Sequence, residues 1–373
     1  MSEWKESKLG EILNLITKGT TPPQGVGFVE KGINYIKSDA IDYNGKLDKS
    51  RFAQIDMATH EKFKRSQLAE DDILFSMAGI YLGKNAIVPK DVLPANTNQA
   101  LAILRLNKEK TSPRYVSYYL SQPQIIDFVN NMSGQSAQPN INFEEIKSIE
   151  ITLPLLPEQR AIASVLSSLD DKIDLLHRQN TTLETMAETL FRQWFVEEAK
   201  EDWEEGTLAD LAQFYNGKSR PKEEVGTIPI YGGNGILGYT NISNYSGKSI
   251  IIGRVGAYCG SLHFENKEIW VSDNALLVKA KIERTTYFLL YLLRTLDLNS
   301  MAEGSSHPLL TQTLLKSILI TIPPIEKIEN FDFQLEQITK KIESNQIQIL
   351  TLTALRDTLL PKLMSGEVRV EIN

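Results

Sequence analysis

Apolar residues recur in two long stretches of the chain with the alternating four- and three-residue spacing of a heptad helix. The first seam consists of Ile162, Leu166, Leu169, Ile173, Leu176, Asn180, Leu183, Ala187, Leu190 and Trp194. The second consists of Ile328, Phe331, Leu335, Ile338, Ile342, Asn345, Ile349, Leu352, Arg356, Leu359 and Leu363, with Arg356 as the charged interruption. A seam this narrow is typical of a helix that packs along a partner helix. We therefore predict two long helices that pair with each other in antiparallel orientation, the second ending at Ser365-Gly366.

One asparagine lies near the middle of each seam, at Asn180 and Asn345. Antiparallel pairing would bring the two side chains close together, where buried asparagines can fix the helix register at some cost in stability. The alternative is that each asparagine is solvated at a frayed seam. The first seam spans residues 162–194, which corresponds to about 50 Å of helix. That length exceeds the spacing of about 34–36 Å that two-fold DNA readers use between half-sites.

A segment of short apolar runs precedes each predicted helix. The runs that predict strands are 73–77, 101–106 and 149–153 in the first segment, and 249–253, 275–280 and 318–322 in the second. Residues 115–132 and 287–296 predict helices, and Gly/Pro/Asn clusters predict loops. The chain thus divides into residues 1–155, 156–200, 201–323, 324–366 and 367–373. The predicted fold class is mixed α/β (α+β), with two globular domains separated by two long antiparallel coiled-coil helices.

The two globular segments repeat one plan. Residues 147–154 (KSIEITLP) match 316–323 (KSILITIP) at six of eight positions. Residues 73–84 align with 250–261 and keep two glycines and a tyrosine, and Gln99 aligns with Asn274. Ordered matches along both halves indicate a pseudo-two-fold internal repeat rather than chance similarity of β-rich segments. The second copy is shorter, as expected from small deletions in loops.

Charge is distributed unevenly along the chain. The net charge is −7, but residues 1–155 and 203–322 are each neutral, so the excess acid lies in the two helical segments. Each globular segment could therefore still present a basic face to nucleic acid. The single cysteine, Cys259, excludes an intramolecular disulfide, and no apolar run is long enough to span a membrane. The polar N-terminus lacks the apolar core of a signal peptide, and together these features favour the cytoplasm.

Polar loop residues are the candidates for contact with DNA, because hydroxyls, amides and cations grip phosphates, and Arg, Asn and Gln can read base edges. In the first segment they are Lys18, Thr20, Thr21, Lys37, Ser38, Asp39, Tyr81, Lys84, Gln99, Gln135, Ser136 and Gln138. In the second they are Lys218, Ser219, Arg220, Tyr231, Asn234, Arg254, Tyr258, Ser261, Asn274, Ser305, Ser306 and His307. The glycine and apolar framework is kept between the copies while these residues differ. That divergence is expected if two domains share a scaffold but read different bases, although unconstrained drift of a surface would look similar.

Catalytic signatures are missing from the sequence. No GxxxxGK[ST] loop or methyltransferase NPPY-type tetrapeptide occurs, and residues 79–84 (GIYLGK) are one residue short of the former. The glycine-rich YGGNG at 231–235 lacks a partner motif. The ExK at 145–147 has no carboxylate in the second copy. The four histidines are too scattered for a metal site. We expect a chain without its own catalytic centre, metal or cofactor.

The arrangement resembles the specificity subunit of type I restriction–modification systems. The resemblance is carried by the duplicated segments, by LPLLPEQRAIASVLSSLDDKIDLL (153–176) and by LRDTLLPKLMSGEVRV (355–370). It implies target-recognition domain 1 (1–155), conserved helix 1 (156–200), target-recognition domain 2 (201–323), conserved helix 2 (324–366) and a tail (367–373). It also implies a bipartite, asymmetric target in double-stranded DNA with a nonspecific gap. One departure is that PEQ (157–159) has no match in the second copy, so the two partner-docking sites could be unequal.

The resemblance further implies assembly with two modification subunits, which bind S-adenosylmethionine and methylate adenine. Two ATP-dependent restriction subunits can join, so S-adenosylmethionine, Mg and ATP are expected on the partners. Three alternatives stay open at this point. One is a specificity subunit whose partner fuses methylation and cleavage, the second is a self-contained methyltransferase or nuclease, and the third is a protein-binding coiled-coil scaffold.

Overall fold

A computed structural model describes residues 4–23, 27–79, 82–132, 139–222, 225–302 and 308–371. The chain forms two compact units. The first unit combines residues 1–174 with 349–373, and the second comprises residues 175–348. The units differ from the five predicted segments because each long helix contributes residues to both of them.

The first unit contains the first globular segment. Its strands are β1 (Lys5–Lys8), β2 (Leu13–Lys18), β3 (Phe28–Ile36), β4 (Ala53–Ile55), β5 (Ile73–Ser76), β6 (Asn85–Ile87), β7 (Ala95–Thr97), β8 (Leu101–Leu106) and β9 (Glu150–Leu153). Its helices are α1 (Met57–Lys62), α2 (Pro113–Leu120), α3 (Pro123–Met132) and α4 (Phe143–Ser148), and the long helix α5 (Leu156–Arg192) follows.

The second unit contains the second globular segment. A π-helical turn at Gln193–Glu197 ends α5 and leads into it. Its strands are β10 (Glu204–Thr207), β11 (Ala212–Asn216), β12 (Ile228–Gly232), β13 (Gly235–Thr240), β14 (Ser249–Gly253), β15 (Leu262–Glu265), β16 (Trp270–Val271), β17 (Ala275–Ala280) and β18 (Leu319–Ile322). Its helices are α6 (Leu208–Leu211), α7 (Thr286–Thr295) and α8 (Gln312–Lys316), and the long helix α9 (Ile325–Ser365) follows.

Both globular segments have the same sheet topology, which confirms the internal repeat. A four-stranded sheet has the order β2-β8-β5-β6 in the first and β11-β17-β14-β15 in the second. A three-stranded sheet has the order β4-β3-β7 in the first segment and β13-β12-β16 in the second. Each of these three-stranded sheets contains one parallel pair of strands. The first and last strands of each segment also pair with each other, as β1-β9 and β10-β18.

The four-stranded sheets are buried on both faces. In β5, Ile73 and Phe75 enter one apolar cluster while Leu74 enters another. In β14, Ile250 and Ile252 likewise lie opposite Ile251. Burial on both faces explains why these strands read as continuous apolar runs instead of an alternating pattern.

The predicted seams face the interior. In the first unit, Ile162, Leu166 and Leu363 lie in one core cluster with the α2 residues Tyr115 and Val116. In the second unit, Ile328, Phe331 and Leu335 are each at most 1% exposed. The other seam residues that the structure describes are buried or half-buried. The heptad rhythm therefore identified the buried side of both helices correctly.

The helices run in opposite directions where they meet. In the second unit, Asn345 Nδ2 donates to Asn180 Oδ1 at 2.8 Å, and the ring of Trp194 lies 6.2 Å from that of Phe331. In the first unit, the charged interruption Arg356 binds Asp170 at 2.9 Å. Within each unit, later residues of α5 thus face earlier residues of α9. The separation of the two domains along these helices remains a prediction.

Helix α9 ends where the sequence predicted. Gly366, which follows Ser365, has a φ of +76°, a left-handed conformation that favours glycine at a helix C-terminus. The chain then turns back, and Arg369 donates to Glu158 at 2.7 Å.

At the base of each long helix, a charged helix residue and an oppositely charged partner lie beside a tryptophan. The sign of the helix residue's charge differs between the two helices. In the first unit, Glu158 accepts from the indole of Trp4, and Arg369 pairs with Glu158 and lies over the Trp4 ring. In the second, Lys327 lies over Trp203 and pairs with Glu198. Glu158 and Lys327 are each the fifth residue after the end of the preceding strand. The missing PEQ therefore corresponds to a reversal of charge at the helix base.

We expect the asparagine pair to make the second unit less stable than an apolar seam would. Asn345 is fully buried, and its Oδ1 has no hydrogen-bond partner among the described residues. Replacing both Asn180 and Asn345 by leucine should raise the free energy of unfolding by about 1–2 kcal/mol. Hydrogen exchange of peptides from 175–192 and 330–348 measures this change. The single variants serve as controls, since each leaves one buried amide beside an apolar side chain. A double variant less stable than the wild type would contradict the expectation.

Candidate nucleic-acid interface

Five loops of the second globular segment gather beside its four-stranded sheet. They are residues 217–222, 233–234, 254–261, 272–274 and 308–311, and we call them the second loop cluster. Backbone hydrogen bonds join them: Lys218 N to Val271 O, Arg254 N to Asn274 O, Gly256 N to Pro308 O and Leu310 N to Arg254 O. The Ser261 hydroxyl also donates to the carbonyl of Gly233. Segments distant in sequence therefore form one continuous surface.

The first globular segment builds the same cluster. Its loops are residues 18–23, 37–39, 77–84 (of which 80 and 81 are outside the described residues), 98–100 and 139–141, the first loop cluster. The equivalent bonds are Thr20 N to Thr97 O, Met77 N to Ala100 O, Gly79 N to Pro139 O and Ile141 N to Met77 O. The repeated hydrogen bonds make the two clusters one scaffold used twice.

A glycine allows the first loop of each cluster to approach its neighbour. A Cβ on Gly19 would collide with the carbonyl of Asn98, and one on Gly217 would collide with the carbonyl of Ser272. At both positions glycine is required because the two backbones lie too close together to leave room for a Cβ. This requirement differs from the backbone conformation that a turn demands.

These hydrogen bonds correct two details of the sequence alignment. Thr20, rather than Lys18, occupies the place of Lys218, because both backbone N–H groups donate to equivalent carbonyls. Likewise, Ala100 rather than Gln99 is the counterpart of Asn274. The Ala100 carbonyl accepts from the residue that follows β5, and the Asn274 carbonyl accepts from the residue that follows β14. A one-residue slip turns a side chain to the other face of a strand, so only the sheet register settles such pairs.

The predicted residues of the first cluster occupy different environments. Lys18, Thr21, Asp39 and Gln99 are exposed. Thr20, Lys37 and Ser38 are half-buried, and the carbonyl of Thr20 accepts from the Tyr35 hydroxyl at 2.9 Å. Thr21 Oγ1 accepts from Gln99 N at 3.5 Å, which places these two loop residues side by side.

Lys84 does not lie on the surface. Its side chain is 8% exposed and its ammonium lies 4.3 Å from the centre of the Tyr43 ring. Burial lowers the pKa of Lys84, although the charge of Asp42 opposes this. Sequence analysis grouped it with phosphate donors because an isolated lysine in a loop gives no sign of burial.

The predicted residues of the second cluster are mostly accessible. Lys218, Ser219, Arg220, Asn234, Tyr258 and Asn274 are exposed, whereas Arg254 and Ser261 are half-buried. Tyr231 is the exception. It is 6% exposed, its hydroxyl donates to Glu265 at 3.3 Å, and burial raises its pKa to about 12. Tyr231 therefore supports the cluster from within.

Seven further predicted residues cannot be assigned a position. Tyr81, Gln135, Ser136, Gln138, Ser305, Ser306 and His307 lie outside the described residues. All of them except Tyr81 belong to two segments that the sequence repeat places at equivalent points, after α3 in the first copy and after α7 in the second.

Positive charge is concentrated in the loop clusters although each segment is neutral overall. The second cluster contains Lys218, Arg220, Lys222 and Arg254 against the single carboxylate of Asp273. The first contains Lys18 and Lys37 against Asp39, besides the buried Lys84. Such a local excess of cations attracts phosphate groups regardless of the net charge of the domain.

Two residues that sequence analysis missed lie beside predicted ones. Arg65 donates from Nη2 to Thr20 Oγ1 at 3.3 Å and adds an exposed cation to the first cluster. Asn216 accepts at 3.5 Å from Nη1 of Arg254. The run of basic residues at 62–65 was a visible signal for Arg65. Asn216 gave none, because its role depends on how β17 places the end of β11 near the residue that follows β14.

Neither a metal site nor a membrane-spanning element was found. Within the described parts of the chain, no group of three or more His, Cys, Asp and Glu side chains could hold a metal ion. The described helices are each too short or too polar to cross a bilayer.

Comparison with known proteins identifies a matching family. A family model described as the type I restriction modification DNA specificity domain matches residues 1–185 and 200–353. The chain is 27% identical over 327 residues to the type I restriction enzyme MjaIX specificity subunit of Methanocaldococcus jannaschii, covering 74% of each protein. It is 25% identical to the putative type I restriction enzyme MjaX specificity subunit of the same organism, over 99% of this chain and 94% of that protein.

A solved structure has a similar fold. The crystal structure of the type I restriction-modification system S subunit from M. genitalium superimposes with a TM-score of 0.70. The match covers 97% of this chain and 96% of that one, with 19% sequence identity. The fold is therefore shared along essentially the whole length of both proteins.

Proposed function

Since this chain belongs to the type I restriction–modification DNA specificity family, we propose that each of its two domains reads one half of a bipartite DNA target through its loop cluster. The observation that carries this proposal is the repeated scaffold with different side chains. Equivalent hydrogen bonds hold both clusters in the same form, while Lys218 replaces Thr20 and Arg254 replaces Met77. A shared backbone with different donors suits the recognition of two different half-sites.

In this proposal the chain itself catalyses no reaction. It reads DNA and holds two modification subunits, which carry S-adenosylmethionine and methylate adenine in the target. Restriction subunits that use ATP and Mg can join the same assembly. In support, the matching relatives are described as specificity subunits of type I restriction enzymes.

The two docking sites for modification subunits are proposed to be similar in form and different in charge. The carboxylate of Glu158 and the ammonium of Lys327 occupy equivalent places at the two helix bases, each beside a tryptophan. A modification subunit whose docking depended on this one contact would therefore bind the two docking sites with different affinities.

Reconstitution tests the proposed function. The purified chain alone should transfer no methyl group from S-adenosylmethionine to DNA, and methylation should begin when the modification subunit is added. Mapping of methylated adenines should then give two short half-sites separated by a gap of unspecified sequence. Methylation by the chain alone, or a single continuous motif, would contradict the proposal.

A salt titration separates DNA reading from a scaffold that binds only proteins. For the assembled complex, the logarithm of DNA affinity should fall steeply with the logarithm of salt concentration, because each neutralised phosphate releases a counterion. Specificity for the mapped target over scrambled DNA is the matched control. A flat slope in the presence of the partners would favour the scaffold instead.

A further inference from the structure

We propose that Arg254 reads a guanine in the half-site bound by the second domain. This inference rests on the proposed function and names one determinant of specificity within it. Arg254 is the first residue after β14 and lies at the centre of the second loop cluster, where the connection to β15 begins.

The backbone of Arg254 is fixed by two other loops and by a contact within its own loop. Its N–H donates to Asn274 O at 3.1 Å, and its carbonyl accepts from Leu310 N at 2.9 Å and from the Cys259 thiol at 3.3 Å. The side chain therefore starts from a rigid point rather than from a free loop. A reading residue on a rigid base loses little conformational entropy when it binds.

The guanidinium of Arg254 has unused donors. Nη1 lies 3.5 Å from Asn216 Oδ1, which is a long hydrogen bond. Nε is buried and has no hydrogen-bond partner among the described residues. A half-buried guanidinium with an unsatisfied donor is costly, and its Nη groups are the donors that an external acceptor can meet.

The position of Arg254 favours a base edge over a phosphate. Lys218 and Arg220 are exposed at the start of the first loop, where a DNA backbone could reach them. Arg254 instead lies half-buried where three loops meet, and its backbone N–H is bonded to the exposed residue Asn274. The planar fork of arginine matches the O6 and N7 acceptors of guanine in the major groove, which is the commonest specific contact of its kind.

The first domain lacks this determinant. Its equivalent residue, Met77, donates and accepts through the same backbone hydrogen bonds but is apolar and 8% exposed. The proposed arginine–guanine contact thus belongs to one half-site only. That asymmetry makes the inference testable within a single complex, because the other half-site provides an internal reference.

The test uses the full chain assembled with its modification subunits. Methylated adenines are mapped for the wild type, for Arg254→Met, which introduces the residue of the first domain, and for Arg254→Gln. Each variant should lose a guanine preference of about 10- to 100-fold at one position of one half-site, while the other half-site is unchanged. Lys218→Ala should instead lower methylation at all sites without changing the motif.

The outcomes are distinct. A motif that stays intact in both variants, or a relaxed position that is not guanine in the wild type, would overturn the assignment of Arg254. If Arg254→Met fails to assemble, Arg254→Gln decides, since it keeps a polar group beside Asn216. A wild-type complex that methylates no bipartite target would refute the proposed function before Arg254 is considered.

Discussion

Replacing Phe331 by alanine should lower the free energy of unfolding of the second unit by about 3–5 kcal/mol. Phe331 is fully buried on α9. Its ring centre lies 5.2 Å from that of Phe195, 5.7 Å from Phe191 and 5.9 Å from Tyr291. The alanine variant would lose these aromatic contacts and leave a cavity that the surrounding rings cannot fill completely.

Hydrogen exchange resolves this effect because it reports on each segment separately. Peptides from 286–295 and 328–345 should exchange faster in Phe331→Ala, while peptides from β5 and β8 should not change. Phe333→Ala is the matched control, since Phe333 lies two residues away on the same helix but is 69% exposed. Equal effects of the two substitutions would show that the ring cluster contributes little.

The second large effect concerns Asp332, a buried carboxylate on α9. It is 3% exposed and accepts from Tyr287 N at 2.9 Å and Phe288 N at 2.7 Å, so it caps the start of α7. Burial raises the pKa of Asp332 from an ordinary 3.8 to about 7, although these two hydrogen bonds and the charge of Lys248 oppose the shift. The nearby charge of Glu336 adds to it.

This shift has a definite consequence for stability. Because the pKa is higher in the folded than in the unfolded chain, the folded state holds more protons between pH 4 and 7, and stability falls as the pH rises through that range. The full shift corresponds to a loss on the order of 4 kcal/mol by pH 8. Asp332→Asn should remove this decline, since a neutral amide oxygen can still accept from α7, and the variant should exceed the wild type in stability at pH 8.

Hydrogen exchange of the α7 peptide from pH 5 to pH 8, corrected for intrinsic exchange, measures the difference. Asp332→Ala is the control for the cap itself, because it leaves two buried N–H groups without an acceptor at every pH, at about 1–3 kcal/mol for each. Parallel pH profiles for the wild type and Asp332→Asn would show that the carboxylate is not buried as described.

Phe331 and Asp332 show what the local sequence pattern can and cannot predict about the burial of a residue. The heptad spacing placed Phe331 on the inner face of α9, because the period of a helix fixes which positions share a face. Asp332 is adjacent to it and reads as an ordinary charged residue. Its burial depends on α7 packing against α9, which no short window of sequence contains.

Lys84 and Tyr231 illustrate the same limit within the candidate site. Lys84 directly precedes β6 and Tyr231 lies within β12, two strands that the sequence pattern did not predict, and both residues were taken for surface donors. One lies against the ring of Tyr43 and the other against Glu265, partners far from them along the chain. Side-chain burial at a loop depends on which other loop covers it, and this is a property of the assembled sheet.

The sequence by itself determined the repeat, six of the strands, the two long helices and the family, because each of these rests on periodicity or on a run of matching residues. It read residues 231–238 as a loop, whereas they contain parts of β12 and β13. Only the tertiary structure decided which side chains of the loop clusters are equivalent, which are covered, and that Arg254 stands at the centre of one cluster with unused donors. The physical reason is that hydrogen bonds between distant loops set these positions. Their register depends on sheet pairing rather than on spacing along the chain.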